Sequence, residues 1–125
     1  MEAGNKNIVV SKSYLFALEI VKVYKYLTNE RKEYVLSKQL LRSGTSIGAN
    51  INEAIASSTK RDFVYKFSLS LKEARETLYW LNLLFDSNYI LSEQFELLRK
   101  LCDELVKIIS SIILTTKQKY FNANS

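Results

Sequence analysis

The chain has no histidine and no proline, and only one cysteine and three glycines among its 125 residues. The absence of histidine excludes a His-based catalytic triad, and a single cysteine leaves no His/Cys metal site. Without proline and with so little glycine, the sequence lacks the turn residues typical of β-sheet proteins or of several linked domains. The sequence therefore predicts one all-α domain that spans residues 1–125.

The sequence also has no pair of cysteines and no long apolar segment. The lone Cys102 cannot form an internal disulfide, which fits a reducing cytoplasm. No apolar run approaches the ~18 residues of a membrane-spanning helix, and the N-terminal MEAGNKNIVV has no signal-peptide core. We therefore expect a cytoplasmic protein with no membrane partner. The missing catalytic machinery further predicts no enzyme activity, cofactor, metal or small-molecule substrate.

Positive charge is in moderate excess, with 18 lysines and arginines against 13 acidic residues, a net charge of +5. This excess favours a polyanionic partner such as RNA or DNA. The candidate nucleic-acid contacts are the clustered basic residues Arg31, Lys32, Lys60, Arg61 and Lys66. Because these clusters fall at different helix joints, the basic charge is predicted to be spread over both ends of the molecule. The alternative is a solvated helix surface, since Lys72/Glu76 and Lys100/Glu104 have the spacing of ion pairs within a helix.

The apolar periodicity predicts four amphipathic helices, at about residues 11–27, 32–57, 60–86 and 92–119. Thr59, with Asp62 three residues later, has the pattern of a capping box, and Ser92 is the predicted N-cap of the fourth helix. Each helix has a broad apolar stripe and the joints are short. The pattern therefore predicts an antiparallel up-down four-helix bundle.

The second helix carries two distinct faces at about 100° per residue. Gly44 and Gly48 lie among its apolar residues and are interpreted as a close contact between helices. A phosphate loop is the alternative, but GTSIG lies within a helical pattern and no Gly-Lys-Ser/Thr follows it. Roughly opposite lies a polar stripe formed by Arg42, Ser46, Asn50 and Glu53. The polar stripe is predicted to fix register between helices or subunits, with contact to a ligand or nucleic acid as the alternative.

Apolar residues exceed what one bundle needs. The third helix has a second apolar stripe, formed by Leu69, Trp80 and Leu83, on the side opposite Phe67. The first helix is apolar around most of its circumference. Surplus apolar surface and aromatic anchors of this kind predict a homo-oligomer. Scattered exposed apolar side chains are the alternative interpretation.

The run QLLRSGTSIGANINEA, followed by the helix LSLKEARETLYWLNLL, resembles the small four-helix-bundle proteins encoded in intervening sequences of bacterial 23S rRNA genes. Their pattern Q-L-x-R-A-x-x-S-I-x-x-N-I-x-E-G is matched by Gln39, Leu40, Arg42, Ser46, Ile47, Asn50, Ile51 and Glu53. Ser43 and Ala54 depart from it, standing where alanine and glycine are usual. The resemblance extends from about Tyr14 to Ile113 and implies a ring-shaped homopentamer. The chain is more distantly similar to the accessory proteins of diversity-generating retroelements, which are basic pentamers that bind a reverse transcriptase and nucleic acid.

Two functions follow from these patterns. The first is a non-enzymatic homo-oligomer that binds RNA or a nucleic-acid-bound protein, and it predicts a salt-sensitive affinity for RNA. The second is a protein-interaction scaffold without a nucleic-acid role. It predicts that the polar stripe is wholly buried and that charge reversal at Lys60 and Arg61 leaves partner binding intact.

Overall fold

Four helices make up the protein in a computed structural model that describes residues 2–121, with side chains from residue 6 onward. They are α1 (Glu2–Asn29), α2 (Leu36–Ile55), α3 (Lys60–Asp86) and α4 (Ser92–Tyr120), and residues 2–121 include no strand. Each helix packs against the next one in the chain, and α4 packs back against α1. The predicted four-helix bundle is therefore confirmed.

The core lies where the apolar stripes of the four helices meet. Phe16 of α1, Ile47 of α2, Phe67 of α3 and Leu105 of α4 each keep at most 1% of their surface exposed. Within each helix the buried apolar residues recur mostly at intervals of three, four or seven positions, so that they lie on one face. Burial of this continuous apolar surface is the main stabilising contribution to the fold.

α1 begins at Glu2, so the predicted start near residue 11 was wrong. Val9 is completely buried, and it continues the inward face of Phe16 and Ile20 toward the N-terminus. The glycine and asparagines of the first seven residues are weak helix formers, which concealed this extension in the sequence. Packing of Val9 in the core offsets that weak propensity.

α2 runs from Leu36 to Ile55, which is shorter at both ends than the predicted 32–57. Glu33 explains the later start. Its carboxylate accepts hydrogen bonds from the backbone N–H groups of Val35 (3.1 Å), Leu36 (2.9 Å) and Ser37 (2.7 Å). Such N–H groups have no partner within the first helical turn. The nearly buried Glu33 side chain therefore caps α2 from outside the helix, where the sequence had suggested a helical residue.

Glu33→Ala is expected to lower the free energy of unfolding by about 1–3 kcal/mol, because it leaves those N–H groups without their acceptor. Urea unfolding followed by circular dichroism measures the change. Glu30→Ala removes an exposed carboxylate three residues away and should change stability by less than about 0.5 kcal/mol. Equal effects of the two substitutions would contradict the capping role.

The remaining joints confirm one predicted cap and correct another. Thr59 is the N-cap of α3, and its hydroxyl accepts the N–H of Asp62 at 3.0 Å. The Asp62 carboxylate instead accepts the hydroxyl of Ser57 at 2.9 Å. Ser92 was wrongly predicted as the cap of α4: Leu91 occupies that position, and its backbone N–H donates to Gln94 Oε1 at 2.7 Å. The sequence signal for this cap was therefore the glutamine.

Candidate nucleic-acid interface

The polar stripe of α2 lies along its junction with α3. Arg42 forms a hydrogen-bonded ion pair with Glu76, and a second carboxylate, Glu73, lies 3.6 Å from its guanidinium. Further along, Glu53 Oε1 lies 2.8 Å from Lys66 Nζ. Both residues that end the stripe therefore contact α3. Within one protomer the stripe is not wholly buried, since Arg42 and Glu53 are exposed.

The hydrogen bonds of the stripe are made within the bundle. The Trp80 indole N–H donates to Glu76 Oε2 at 3.0 Å, and this bond, followed by that from Arg42, lowers the pKa of Glu76. Ser46 Oγ and Asn50 Nδ2 both donate to carbonyls one turn earlier in α2. The stripe thus joins α2 to α3 through ionised pairs.

Two lysine–glutamate pairs suggested by sequence spacing are replaced by contacts between helices. Glu76 pairs with Arg42 of α2, although Lys72 lies one turn before it. Glu104 lies 3.6 Å from Lys12 of α1. These exposed pairs are worth little individually, and they mark which helix surfaces are neighbours.

α1 approaches α2 closely at the two glycines. A Cβ atom at Gly44 would lie 2.8 Å from Cγ1 of Ile20, and one at Gly48 would lie 3.1 Å from Oγ of Ser13. Ile20 and Ser13 are both completely buried. Hydrogen in place of a side chain is therefore what allows the α1 backbone to pack at this distance.

The candidate interface residues on α3, namely Leu69, Trp80 and Leu83, are half-buried in the protomer. Trp80 also packs against the core, so it serves the protomer itself. α1 also exposes apolar surface, in keeping with a helix that is apolar around most of its circumference. Its outer face carries an apolar stripe, which we name the α1 stripe, of Ile8, Leu15 and Leu18, which are 47%, 59% and 43% exposed. These residues are separated by seven and three positions and so lie on one side of the helix.

Arg31, one of the candidate nucleic-acid contacts, links the α1–α2 joint to the α3–α4 joint. Its Nη1 donates to the carbonyls of Asn88 (2.8 Å) and Tyr89 (2.9 Å), and its guanidinium lies 5.2 Å from the centre of the Tyr89 ring. The α1–α2 joint is thereby fixed to the α3–α4 joint. The neighbouring Lys32 is exposed and has a φ of 56°.

The other basic candidates lie at the opposite end of the bundle, where folding adds lysines from both ends of the chain. We name this surface the cationic end; it consists of Lys6, Lys60, Arg61, Lys117 and Lys119. Lys60 Nζ lies 4.7 Å from the centre of the Tyr120 ring, and Lys6 Nζ lies 5.2 Å from that of Phe63. These contacts join the start of α1 and the end of α4 to the start of α3.

Basic residues lie at both ends of the bundle, but the two ends differ in the acidic residues around them. The end that contains Arg31 also carries the acidic residues Glu30, Glu33, Asp86 and Glu93. At the cationic end, Asp62 lies in the first turn of α3, and no acidic residue follows Glu104 in α4. Sequence clusters could not reveal this asymmetry, because Lys6 and Lys117 are adjacent to Lys60 only in the folded chain. Lys66 lies further along α3 and is paired with Glu53.

An open cleft of about 570 Å³ lies between α3 and α4 at the cationic end. We name it the α3–α4 cleft; its lining residues are Arg61, Val64, Leu114, Lys117, Gln118 and Phe121. Leu114 and Phe121 are 58% and 44% exposed. The cleft therefore combines an apolar surface with two cations and one amide.

The one cysteine of the chain lies in the core. The Cys102 thiol is buried, which raises its pKa to about 12, and it donates a hydrogen bond to the carbonyl of Ala74 at 3.4 Å. A protonated, buried thiol is a poor nucleophile. Within residues 6–121, no three His, Cys, Asp or Glu residues are grouped so as to hold a metal ion. No helix in the described part of the chain has the length and apolar content needed to cross a bilayer.

The fold and this surface define an all-α four-helix bundle with a cationic end. The profile of the 23S rRNA-intervening sequence protein family matches residues 5–111, and the chain belongs to that family. A crystal structure of a protein of unknown function from the S23 ribosomal protein family of Bacteroides thetaiotaomicron is similar, with a TM-score of 0.86 and 51% sequence identity. The match covers 87% of this chain and 97% of that one. No curated protein sequence matches the chain.

Proposed function

We propose that this chain forms a non-enzymatic homo-oligomer, a pentamer, that binds RNA through the cationic end of each protomer. The observation that carries the proposal is the convergence of cations from α1, α3 and α4 on one surface. Lysines and arginines that contact phosphates release condensed counterions, which favours binding. Lys60, Arg61 and Lys117 are exposed and stand in none of the ion pairs formed between described residues.

Oligomerisation supports the proposal in two ways. The α1 stripe and the exposed Tyr65 and Tyr79 of α3 present apolar surface that a second protomer would cover. A symmetric ring also repeats the cationic end once per protomer. Repetition increases the number of phosphates contacted by one RNA molecule, and linked contacts raise the overall affinity well above that of one protomer.

Light scattering and RNA titration at several salt concentrations test the proposal together. We expect a mass five times that of the 14.5 kDa chain. Fluorescence anisotropy with labelled RNA should give an affinity that falls steeply with salt, because each phosphate contact on a single strand contributes a slope of about −0.7 in log affinity against log salt. A monomeric mass would contradict the assembly, and absence of salt-dependent binding would contradict the RNA role.

The alternative is a protein-interaction scaffold, and the α1 stripe favours it. An exposed apolar helix face is a common docking surface for a partner helix. In that case Leu18→Asp would abolish partner binding, whereas changes at the cationic end would leave it intact. Pull-down with each variant distinguishes this function from RNA binding, because changes at the cationic end should weaken the binding of RNA.

A further inference from the structure

We infer that the α3–α4 cleft holds an unpaired base, so that the RNA bound at the cationic end is single-stranded. The inference rests on the proposed function and adds to it the class of nucleic acid and the place where a base is held. Phe121 and Leu114 would contact the flat face of the base. Lys117 and Arg61 would lie beside the backbone phosphates that flank this base.

The composition of the α3–α4 cleft is the first reason. A surface that binds only the phosphates of a duplex needs cations and hydrogen-bond donors, and it gains nothing from exposed apolar rings. Here the exposed side chains of Leu114 and Phe121 lie in the same cleft as Arg61 and Lys117. Single-strand binding proteins combine such aromatic platforms with a cationic groove.

Accessibility of the base is the second reason. In an A-form duplex the base faces are stacked and paired, so an aromatic side chain at a protein surface cannot reach them. An unpaired strand exposes these faces, and a base can enter an open cleft. The volume of about 570 Å³ is ample for a group of that size, and the Gln118 amide can donate to or accept from a base edge.

The neighbouring aromatic residue, Tyr120, differs from Phe121 in its ring contacts and in the space beside its ring. Tyr120 is 41% exposed, but two lysine ammonium groups lie against its ring, with Lys60 Nζ at 4.7 Å and Lys119 Nζ at 5.4 Å from its centre. It lines a pocket of only about 20 Å³. Phe121, one residue later, lines the much larger α3–α4 cleft. Phe121 is thus the ring at the cationic end with space beside it for a base.

Affinity for labelled oligouridylate, which has no stable pairing, and for an RNA duplex with the same number of phosphates tests the inference on the full-length protein. We expect tighter binding of the single strand. Phe121→Ala should weaken oligouridylate binding by on the order of tenfold while its salt dependence stays unchanged. Leu97→Ala removes an apolar side chain of similar exposure from the other half of α4 and serves as the matched control.

A Phe121→Trp variant provides a direct optical signal. Its added indole should be quenched when oligouridylate binds, whereas the wild-type protein, whose only tryptophan is Trp80 on α3, should show no such change. Quenching by the single strand and not by the duplex would support the inference. Equal affinity for both RNAs, with no effect of Phe121→Ala, would overturn it and leave the proposed function standing.

Two other outcomes have different meanings. If neither RNA binds, the proposed function fails together with the inference. If a polyglutamate peptide binds as tightly as oligouridylate and is equally weakened by Phe121→Ala, the cleft accepts acidic peptides and the base-binding inference is overturned.

Discussion

Gly48→Leu is expected to lower the free energy of unfolding by about 3 kcal/mol or more, which would leave a marginally stable bundle largely unfolded. A Cβ atom at this position would already lie 3.1 Å from Oγ and 3.4 Å from Cβ of Ser13. The backbone carbonyl carbon of Ser13 follows at 3.6 Å, so the larger leucine branches meet the α1 main chain. A side-chain rotation cannot relieve that contact, and the helices must separate.

Gly48→Ala is the matched control. Its single carbon requires only a small shift of the Ser13 hydroxyl, and alanine is favoured over glycine in a helix by about 1 kcal/mol. We therefore expect nearly unchanged stability. Thermal and urea unfolding of both variants measure the difference. If leucine were tolerated as well as alanine, α1 and α2 would not approach at Gly48 as the structure indicates.

Much of the fold could be predicted from the sequence because four helices leave a strong periodic signal. The start of α3 also had a local signature, since Thr59 accepts a hydrogen bond from Asp62, as its spacing suggested. Errors arose in two ways: a long-range contact overrode local preference at Val9, and the local cap formed by Glu33 had not been recognised. Burial of Val9 in the core extends α1 toward the N-terminus. The Glu33 carboxylate caps the first turn of α2, so this helix begins later than predicted.

The candidate surface was less predictable, because its members are distant in the sequence. Lys60 and Arg61 could be selected as adjacent basic residues, but Lys6 and Lys117 carry no local signal. Their position follows only from the antiparallel topology, which brings the start of α1 and the end of α4 to the start of α3. Arg31 shows the reverse case. With Lys32 it forms a pair of adjacent basic residues in the sequence, but its guanidinium donates to the carbonyls of Asn88 and Tyr89.

The two conspicuous features of α2 also have different roles in the fold. Gly44 and Gly48 bring α1 close, and the polar stripe joins α2 to α3 through Arg42 and Glu53. α2 is therefore held on both sides. The cationic end lies beyond these contacts, where α3 begins and α4 ends, so its charges can be altered without disturbing either helix junction.

Because of that separation, the double substitution Lys60→Glu/Arg61→Glu is the most informative test of RNA binding. We expect the affinity for RNA to fall by about a hundredfold at physiological salt, because two phosphate contacts become repulsive. The slope of log affinity against log salt should become shallower by about 1.4, since each lost contact on a single strand accounts for about 0.7. Anisotropy titrations at several salt concentrations give both quantities.

The fold should survive this double reversal. Both residues lie in the first turn of α3, where glutamate is favoured by the positive end of the helix dipole, so helix stability is expected to be maintained. Lys25→Glu/Lys38→Glu changes the net charge equally at the opposite end of the bundle, and both lysines are exposed there. A large loss of affinity for the first variant alone would assign RNA binding to the cationic end. Equal losses would mean that RNA responds only to overall charge, and the proposed surface would be wrong.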